Sequence, residues 1–165
     1  MIESLVVRRA SRDDLESIRR IYNEGIEDRV ATLDVEPKSP AEMDAWWRDH
    51  DENYAVLVAV ESETVVGWAS LNRFSQRCAH SGIADVSVYV TRGRRGRGIG
   101  PELLRELEGA ARSAGFHKIV LHALDSNEHG KRLYRKAGFA VVGVFKEHGV
   151  LGGRYVDVIA MEKLL

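Results

Sequence analysis

The chain has 165 residues, with 24 lysines and arginines against 25 aspartates and glutamates and a formal charge of −1. That length suits one domain with its own core, and the near-neutral balance offers no broad field to attract nucleic acid or an anionic membrane. A single cysteine, Cys78, rules out an internal disulfide, and no window of about eighteen uncharged apolar residues exists to cross a membrane, so a cytoplasmic protein is expected. Along the chain, Leu5 to Ala10 reads as a short strand. Ser11 and Asp14 mark the start of a helix whose apolar face is Leu15, Ile18, Ile21, Tyr22 and Ile26. SPAE opens a second helix: Ser39 caps, Pro40 takes the first helical position and Glu42 closes a capping box, with Met43, Trp46 and Trp47 as its buried side.

The middle and end of the chain alternate between strands and helices. Tyr54 to Val60 and Thr64 to Leu71 form an antiparallel hairpin around Glu61 to Glu63, and GIADVSVYV follows as the next strand. Leu103, Leu104, Leu107, Ala110 and Ala111 make the apolar stripe of a helix that stops before Gly115. Lys118 to Leu124 is a strand and Glu128 to Lys136 a short helix, and AVVGVF pairs with RYVDVIAMEK as a closing hairpin. The strand, helix, strand unit in the middle makes parallel neighbours, so the expected class is α/β (α+β): a mixed sheet flanked by helices.

The stretch from Val86 to Gly100, VSVYVTRGRRGRGIG, carries the chemical signal. A glycine-rich turn between a strand and a helix aims successive backbone N–H groups into one concavity, where the helix dipole adds positive potential. Gly96, Gly98 and Gly100 allow close backbone approach, and Arg94, Arg95 and Arg97 bring charge suited to phosphate oxygens. A diphosphate is the natural guest. The loop ends GIGPE, so it lacks the Gly-Lys-Ser/Thr of a nucleotide-binding P-loop, and Pro101 occupies the last position of a dinucleotide fingerprint. A solvated basic connection is the other reading that these residues allow.

Arg95-x-x-Gly98-x-Gly100 after a β-strand resembles the pyrophosphate-binding signature of the GCN5-related N-acetyltransferase (GNAT) superfamily. SNEHGKRLYRKAGF, Ser126 to Phe139, resembles that family's downstream motif. YNEGIEDRVATLDVEP, NRFSQRCAHSGIADVSVYV and GGRYVDVIAMEK are similar to its phosphinothricin, arsinothricin and methionine sulfoximine acetyltransferase group. The resemblance spans nearly the whole chain. It implies one domain with a mostly antiparallel sheet of about seven strands, about four flanking helices and a splayed central strand pair.

It also implies an acetyl-CoA-dependent enzyme that acetylates the α-amine of a small amino-acid-like compound, needs no metal and forms a homodimer. Acetyl-CoA would lie against Val88, Tyr89, Val90, Arg95, Gly96, Arg97, Gly98, Ile99, Gly100, Asn127, Lys131 and Tyr134. Asp85 stands where the group usually has a glutamate base; its side chain is one methylene shorter, and a relaying water is expected. A backbone N–H near Val88 would bind the thioester oxygen, and Tyr134 would protonate the departing thiolate. Asn127 holds the pantetheine arm or caps the short helix. Arg73 and Arg77, together with Arg29, are the candidates for gripping an acidic group on the acceptor, because a guanidinium binds such groups through two parallel hydrogen bonds. His80 and His148 are secondary candidates, and no spacing of the histidines suggests a metal site. Two other readings stay open: a protein or peptide acetyltransferase, and a non-catalytic acyl-CoA-binding module.

Overall fold

The computed structural model describes residues 4–165. Strand β1 (Val6–Arg9) leads into helix α1 (Leu15–Asp28) through a single turn. That turn is pinned by Asp14, whose carboxylate accepts from the Ser11 backbone N–H at 2.8 Å and from both terminal nitrogens of Arg8 at 2.7 and 3.0 Å. Helix α2 (Pro40–Arg48) starts with the expected capping box: Ser39 Oγ accepts from Glu42 N at 3.2 Å, and the Glu42 carboxylate accepts from Ser39 N at 2.7 Å. Strands β2 (Val56–Glu61) and β3 (Thr64–Arg73) are joined by Ser62 and Glu63, both left-handed at φ 46° and 64°, without a glycine. After them come β4 (Ile83–Val90), α3 (Ile99–Ser113), β5 (Lys118–Leu124), α4 (Glu128–Lys136), β6 (Ala140–Leu151) and β7 (Arg154–Leu164).

The seven strands form one sheet in the order β1-β2-β3-β4-β5-β7-β6. Every neighbouring pair is antiparallel except β4 and β5, the two strands on either side of the α3 crossover. That parallel pair is short. Only Ile83, Ala84 and Asp85 find partners, at Lys118, Ile119 and Val120, and beyond Asp85 the strands part.

Period-two alternation sorts β3 and β4 onto two faces. Ala69, Leu71, Ala84 and Val86 pack with Ile99, Leu103, Leu104 and Leu107 of α3 in the larger core. Trp68 faces the other way, into a second core with Leu15, Ile18 and Ile21 of α1 and Met43 of α2. Gly67 sets the distance between α3 and the sheet, since a Cβ there would come within 3.0 Å of Leu103 Cδ1 and 3.1 Å of the Tyr89 carbonyl.

Two sequence expectations need correction. Met43 is buried, but Trp46 and Trp47 are only half-buried: both pack against the second core, Trp46 edge-on to Trp68 at 5.4 Å, while another side of Trp46 borders a pocket. The strand expected to stop at Phe145 continues to Leu151. It does so through a bulge at Lys146–His148, where Glu147 is left-handed (φ 50°) and its backbone N–H donates to Asp157 Oδ1 at 2.8 Å. The polar run KEHG has no strand pattern of its own, so the partner strand's carboxylate supplies what local propensity does not.

Candidate active site

Where β4 and β5 separate, a cleft of about 1240 Å³ opens between β4, the Gly/Arg loop and α4. Its long wall is Asp85 to Val90, which brings Val88, Tyr89 and Val90 together with Asp85. Beyond Asp85 the edge of β4 that faces β5 has no strand partner. An extended guest can therefore add there as a strand would.

The loop at one end of the cleft has the geometry that its composition suggests. Gly93, Gly96 and Gly98 have φ of 85°, 77° and 83°, and a Cβ on any of them would meet no heavy atom within 4 Å. Gly96 and Gly98 line the cleft with open backbone, and Gly98 serves as the N-cap residue of α3. Gly100 has a different role: a Cβ there would lie 3.3 Å from Leu133, so the missing side chain lets α4 close on α3.

The basic residues of the loop are not equivalent. Arg95 lines the cleft, donates from Nε to the Val90 carbonyl at 3.1 Å and pairs with Asp28 at 2.9 Å. Arg94 also lines it and reaches Glu61 at 3.6 Å. Arg97 is exposed and does not line it, and Ile99 is buried in the core at 1 % exposure, so only its backbone is available at the helix start. Lys131 is also placed elsewhere: it is buried and paired with Asp125 at 3.3 Å and Glu128 at 2.9 Å. Arg105, Arg132 and Lys136 line the cleft in its place. The only sign of the last two in the sequence was their i, i+4 spacing on α4.

Asn127 and Tyr134 come to the cleft from α4. Asn127 lines it while capping the helix, with Oδ1 accepting from Gly130 N at 2.9 Å. Tyr134 packs edge-on to Phe139 at 5.8 Å. Burial, with the nearby Asp85 charge, pushes its hydroxyl up to about 12, so it keeps its proton at neutral pH. Burial also raises the Asp85 carboxyl from 3.8 to about 6, against a hydrogen bond from Asn72 Nδ2 at 3.3 Å and the influence of His122. An aspartate at its ordinary 3.8 is a weak base for an ammonium, and the fold removes much of that weakness. Tyr89 lines the cleft with its ring stacked on Trp68 at 4.9 Å and edge-on to Tyr22 at 5.0 Å.

On the α1/α2 side of the sheet lies a second pocket of about 680 Å³, whose walls include Tyr22, Lys38, Trp46, His50, Trp68 and Asn72. Ser87 lines both cavities, so the two meet beside Asp85. Helical spacing reads Trp46 as core, which is why the pocket was not legible in the sequence.

The three arginines expected to grip an acceptor do not converge on this point. Arg73 reaches the rim of the second pocket, but its guanidinium sits 5.0 Å over the Tyr54 ring. In register with Ala84, it lies on the α3 face of β3, whereas Asn72 faces Asp85. Arg77 is exposed beside the short turn Cys78–His80 and lines neither cavity. Arg29 ends α1 in a left-handed conformation (φ 52°), with a guanidinium nitrogen 2.9 Å from where a Gly152 Cβ would be. His80 bonds Ser75 Oγ at 2.7 Å, and His148 stacks on Phe145 at 4.4 Å. Among the described residues, no group of three His, Cys, Asp or Glu is placed to hold a metal ion.

The profile of the acetyltransferase (GNAT) family matches residues 15–139. The chain belongs to the GNAT family. It is similar to the phosphinothricin N-acetyltransferase of Streptomyces coelicolor, with 32 % identity over 163 residues, 96 % of this chain and 95 % of the relative. An L-methionine sulfoximine/L-methionine sulfone acetyltransferase of Pseudomonas aeruginosa is 31 % identical over 161 residues, 96 % of this chain and 94 % of that protein. Among solved structures, a GNAT-superfamily phosphinothricin acetyltransferase of Sinorhizobium meliloti in complex with AcCoA aligns with a TM-score of 0.93 at 32 % identity, covering 98 % of this chain and 88 % of that one. The splayed GNAT sheet is thus present here in full, and the chain is an acetyltransferase.

The buried Asp85 carboxyl has a consequence for the stability of this GNAT enzyme. Its folded-state value lies above the ordinary 3.8, so between about 4 and 6 the folded chain holds a proton that the unfolded chain has lost. Stability contributed by this group therefore falls as pH rises through that window. Asp85→Asn removes the cost of burying the charge. In urea titrations it is expected to be more stable than the wild type by about 1–3 kcal/mol at pH 8, with the difference vanishing below about pH 4.

Proposed function

We propose that this chain transfers the acetyl group of acetyl-CoA directly to the α-amine of a small amino-acid-like acceptor. The observation that carries the proposal is the junction at Ser87, where a long cleft ending in a glycine cradle meets a compact aromatic-walled pocket beside a carboxyl and a phenol. The names of the relatives favour an amino-acid analogue of the phosphinothricin or methionine sulfoximine type as acceptor, and the sequence resemblance adds the arsinothricin type.

Acetyl-CoA supplies an activated acetyl thioester when bound. The chain's own residues fit it: open backbone at Gly96 and Gly98 suits a diphosphate, and the unpartnered edge of β4 suits an extended pantetheine arm. Arg95 would contact the diphosphate by exchanging its bond to Asp28 for one to phosphate oxygen, and Asn127 would hold the arm from the opposite wall. The Val88 N–H would donate to the thioester oxygen as charge builds on it. Asp85, directly or through a water, takes a proton from the acceptor ammonium and frees the nitrogen lone pair. Tyr134 gives its proton to the sulfur as the bond to the acetyl carbon breaks, and the second proton that the nitrogen loses on becoming an amide restores the phenol.

The acceptor's acidic group is not assigned to Arg73 and Arg77 in this reading, since the Arg73 guanidinium rests on Tyr54 and Arg77 lines neither cavity; it is assigned instead to Lys38, on the wall of the second pocket and 3.8 Å from Asp34. A panel of amino acids and their phosphinic, arsinic and sulfoximine analogues, assayed for acetyl-CoA-dependent acetylation, tests the reading. Absence of turnover on all of them would refute it. A cytoplasmic location accords with it, and no helix among the described residues is long and apolar enough to cross a membrane.

A homodimer is also proposed. The resemblance implies one, and edge strand β6 exposes Val141, Val142, Val144, Phe145 and Val150, apolar side chains along an unpaired sheet edge that a second copy would cover. Light scattering is expected to give twice the chain mass, with Val142→Glu shifting the population to monomer; a wild-type monomer at assay concentration would end the idea.

Substitutions at two positions separate binding from chemistry. Gly98→Glu places a side chain and a negative charge in the cradle and is expected to weaken acetyl-CoA binding at least tenfold by calorimetry, roughly 1.4 kcal/mol. Gly98→Ala should weaken it less, since it brings only the backbone strain of a left-handed alanine. Tyr134→Phe keeps the ring and loses the proton donor, so kcat is expected to fall by about 10²-fold while calorimetric acetyl-CoA affinity changes little.

A further inference from the structure

A chain of hydrogen bonds leaves Asp85 on the side away from Tyr134. Asn72, opposite Asp85 on β3, donates from Nδ2 to Asp85 Oδ2 at 3.3 Å and to Ser87 Oγ at 3.0 Å. Its Oδ1 faces Ser70 Oγ at 2.9 Å and His50 Nε2 at 2.9 Å. The other ring nitrogen of His50, Nδ1, lies 2.7 Å from the Trp46 carbonyl oxygen, and its ring rests against Trp46 with centroids 4.4 Å apart. None of the motifs that carry the family resemblance includes His50 or Trp46.

The Trp46 carbonyl can only accept, so Nδ1 carries a hydrogen. With the Asn72 amide turned so that Nδ2 faces Asp85, Nε2 also faces an acceptor and must also carry one. The chain then has two self-consistent arrangements. In one, His50 is an imidazolium, Asn72 presents its NH₂ to Asp85, and Asp85 is a carboxylate. In the other, His50 is neutral, the amide is reversed, and Asp85 holds a proton that it donates to the Asn72 oxygen. An ionised Asp85 beside a neutral His50 leaves two lone pairs facing each other somewhere along the chain, whichever way the amide points.

We propose that Asn72 ties the proton state of Asp85 to that of His50, which makes His50 a positioning residue for the base. The inference rests on the reading of Asp85 as the group that deprotonates the acceptor. It adds a control on that group: by donating to Oδ1, His50 holds the amide in the orientation that keeps Asp85 ready to take a proton. The direction of the Asn72 hydrogen bond agrees, since it opposes the rise that burial imposes on Asp85. Other groups bear on the same pair. His122 from β5 and Tyr134 from α4 face Asp85. His50 shares its pocket with Asp34 and Lys38 from the α1–α2 connection, Glu42 and Asp49 from and just after α2, and Arg73 from β3. None of these touches the amide, so removing the His50 hydrogen bond isolates the link.

The test uses the whole protein with ¹³C-labelled aspartate, following the Asp85 carboxyl carbon across pH and assigning it with Asp85→Asn. In His50→Leu the amide oxygen keeps only the Ser70 hydroxyl, which can donate or accept and so does not fix the amide's orientation, and the Asp85 midpoint is expected to rise by about half a unit or more. The acid limb of kcat/KM for the acceptor should move up with it. His50→Gln restores an N–H donor without a titrating ring and is expected to return the midpoint to within about 0.2 units of wild type. Asn72→Ala should raise the midpoint whichever residue stands at position 50, which keeps the test decisive should His50→Leu not fold. An unmoved midpoint in His50→Leu, or one that rises equally in His50→Gln, overturns the link. Wild-type kcat/KM at every pH in Asp85→Asn would instead show that Asp85 is not the base, a separate result that the carboxyl titration distinguishes.

Discussion

The structure depends on the early end of one strand pairing. Strands β4 and β5 share three registered residues and then separate, so that β4 continues for five more residues without a β5 partner. A strand edge buried without a partner costs free energy for each unmade hydrogen bond, so it persists only where something else can occupy it. Two close approaches frame the opening: α3 is packed against the sheet at Gly67, and Leu133 of α4 closes on Gly100.

That opening puts the chemistry in a poorly solvated place. Asp85 is the last residue of β4 with a β5 partner and the first residue of the cleft wall. Burial raises its carboxyl toward neutrality, which suits it to accept a proton, and the same burial raises the Tyr134 phenol, which stays protonated at neutral pH and gives its proton up only to a strong base such as a departing thiolate. A shorter aspartate in a position where glutamate is usual is thus offset by its surroundings. The polar residues that surround it from β3, Ser70 and Asn72, are paid for by mutual hydrogen bonds at 2.9–3.3 Å.

The arginines show how far composition alone can mislead. Arg73 and Asn72 are adjacent in sequence, yet strand alternation sends them to opposite faces; the neutral amide meets the carboxyl, and the guanidinium rests on Tyr54. Within the Gly/Arg loop, Arg95 turns into the cleft while Arg97 stays in solvent. Charge suited to an anion is therefore present in the sequence, but which cation meets the anion is a matter of direction.

The amino-acid sequence by itself determined the element order, the helix start at Ser39 and the glycine-rich turn at Gly96–Gly100, while Asp85 and Tyr134 became a candidate acid–base set only through the family resemblance. These are local signals: side-chain caps, left-handed glycines and hydrophobic period act over a few residues, and motif spacing survives without coordinates. Only the tertiary structure decided that Trp46 borders a pocket, that Lys131 is consumed by Asp125 and Glu128, and that Arg73 looks away from the junction. It alone joined His50 to Asp85 through Asn72. These outcomes depend on which strand faces are turned toward which helix and on how many partners compete for each charge, and both are settled by contacts between residues far apart in the chain.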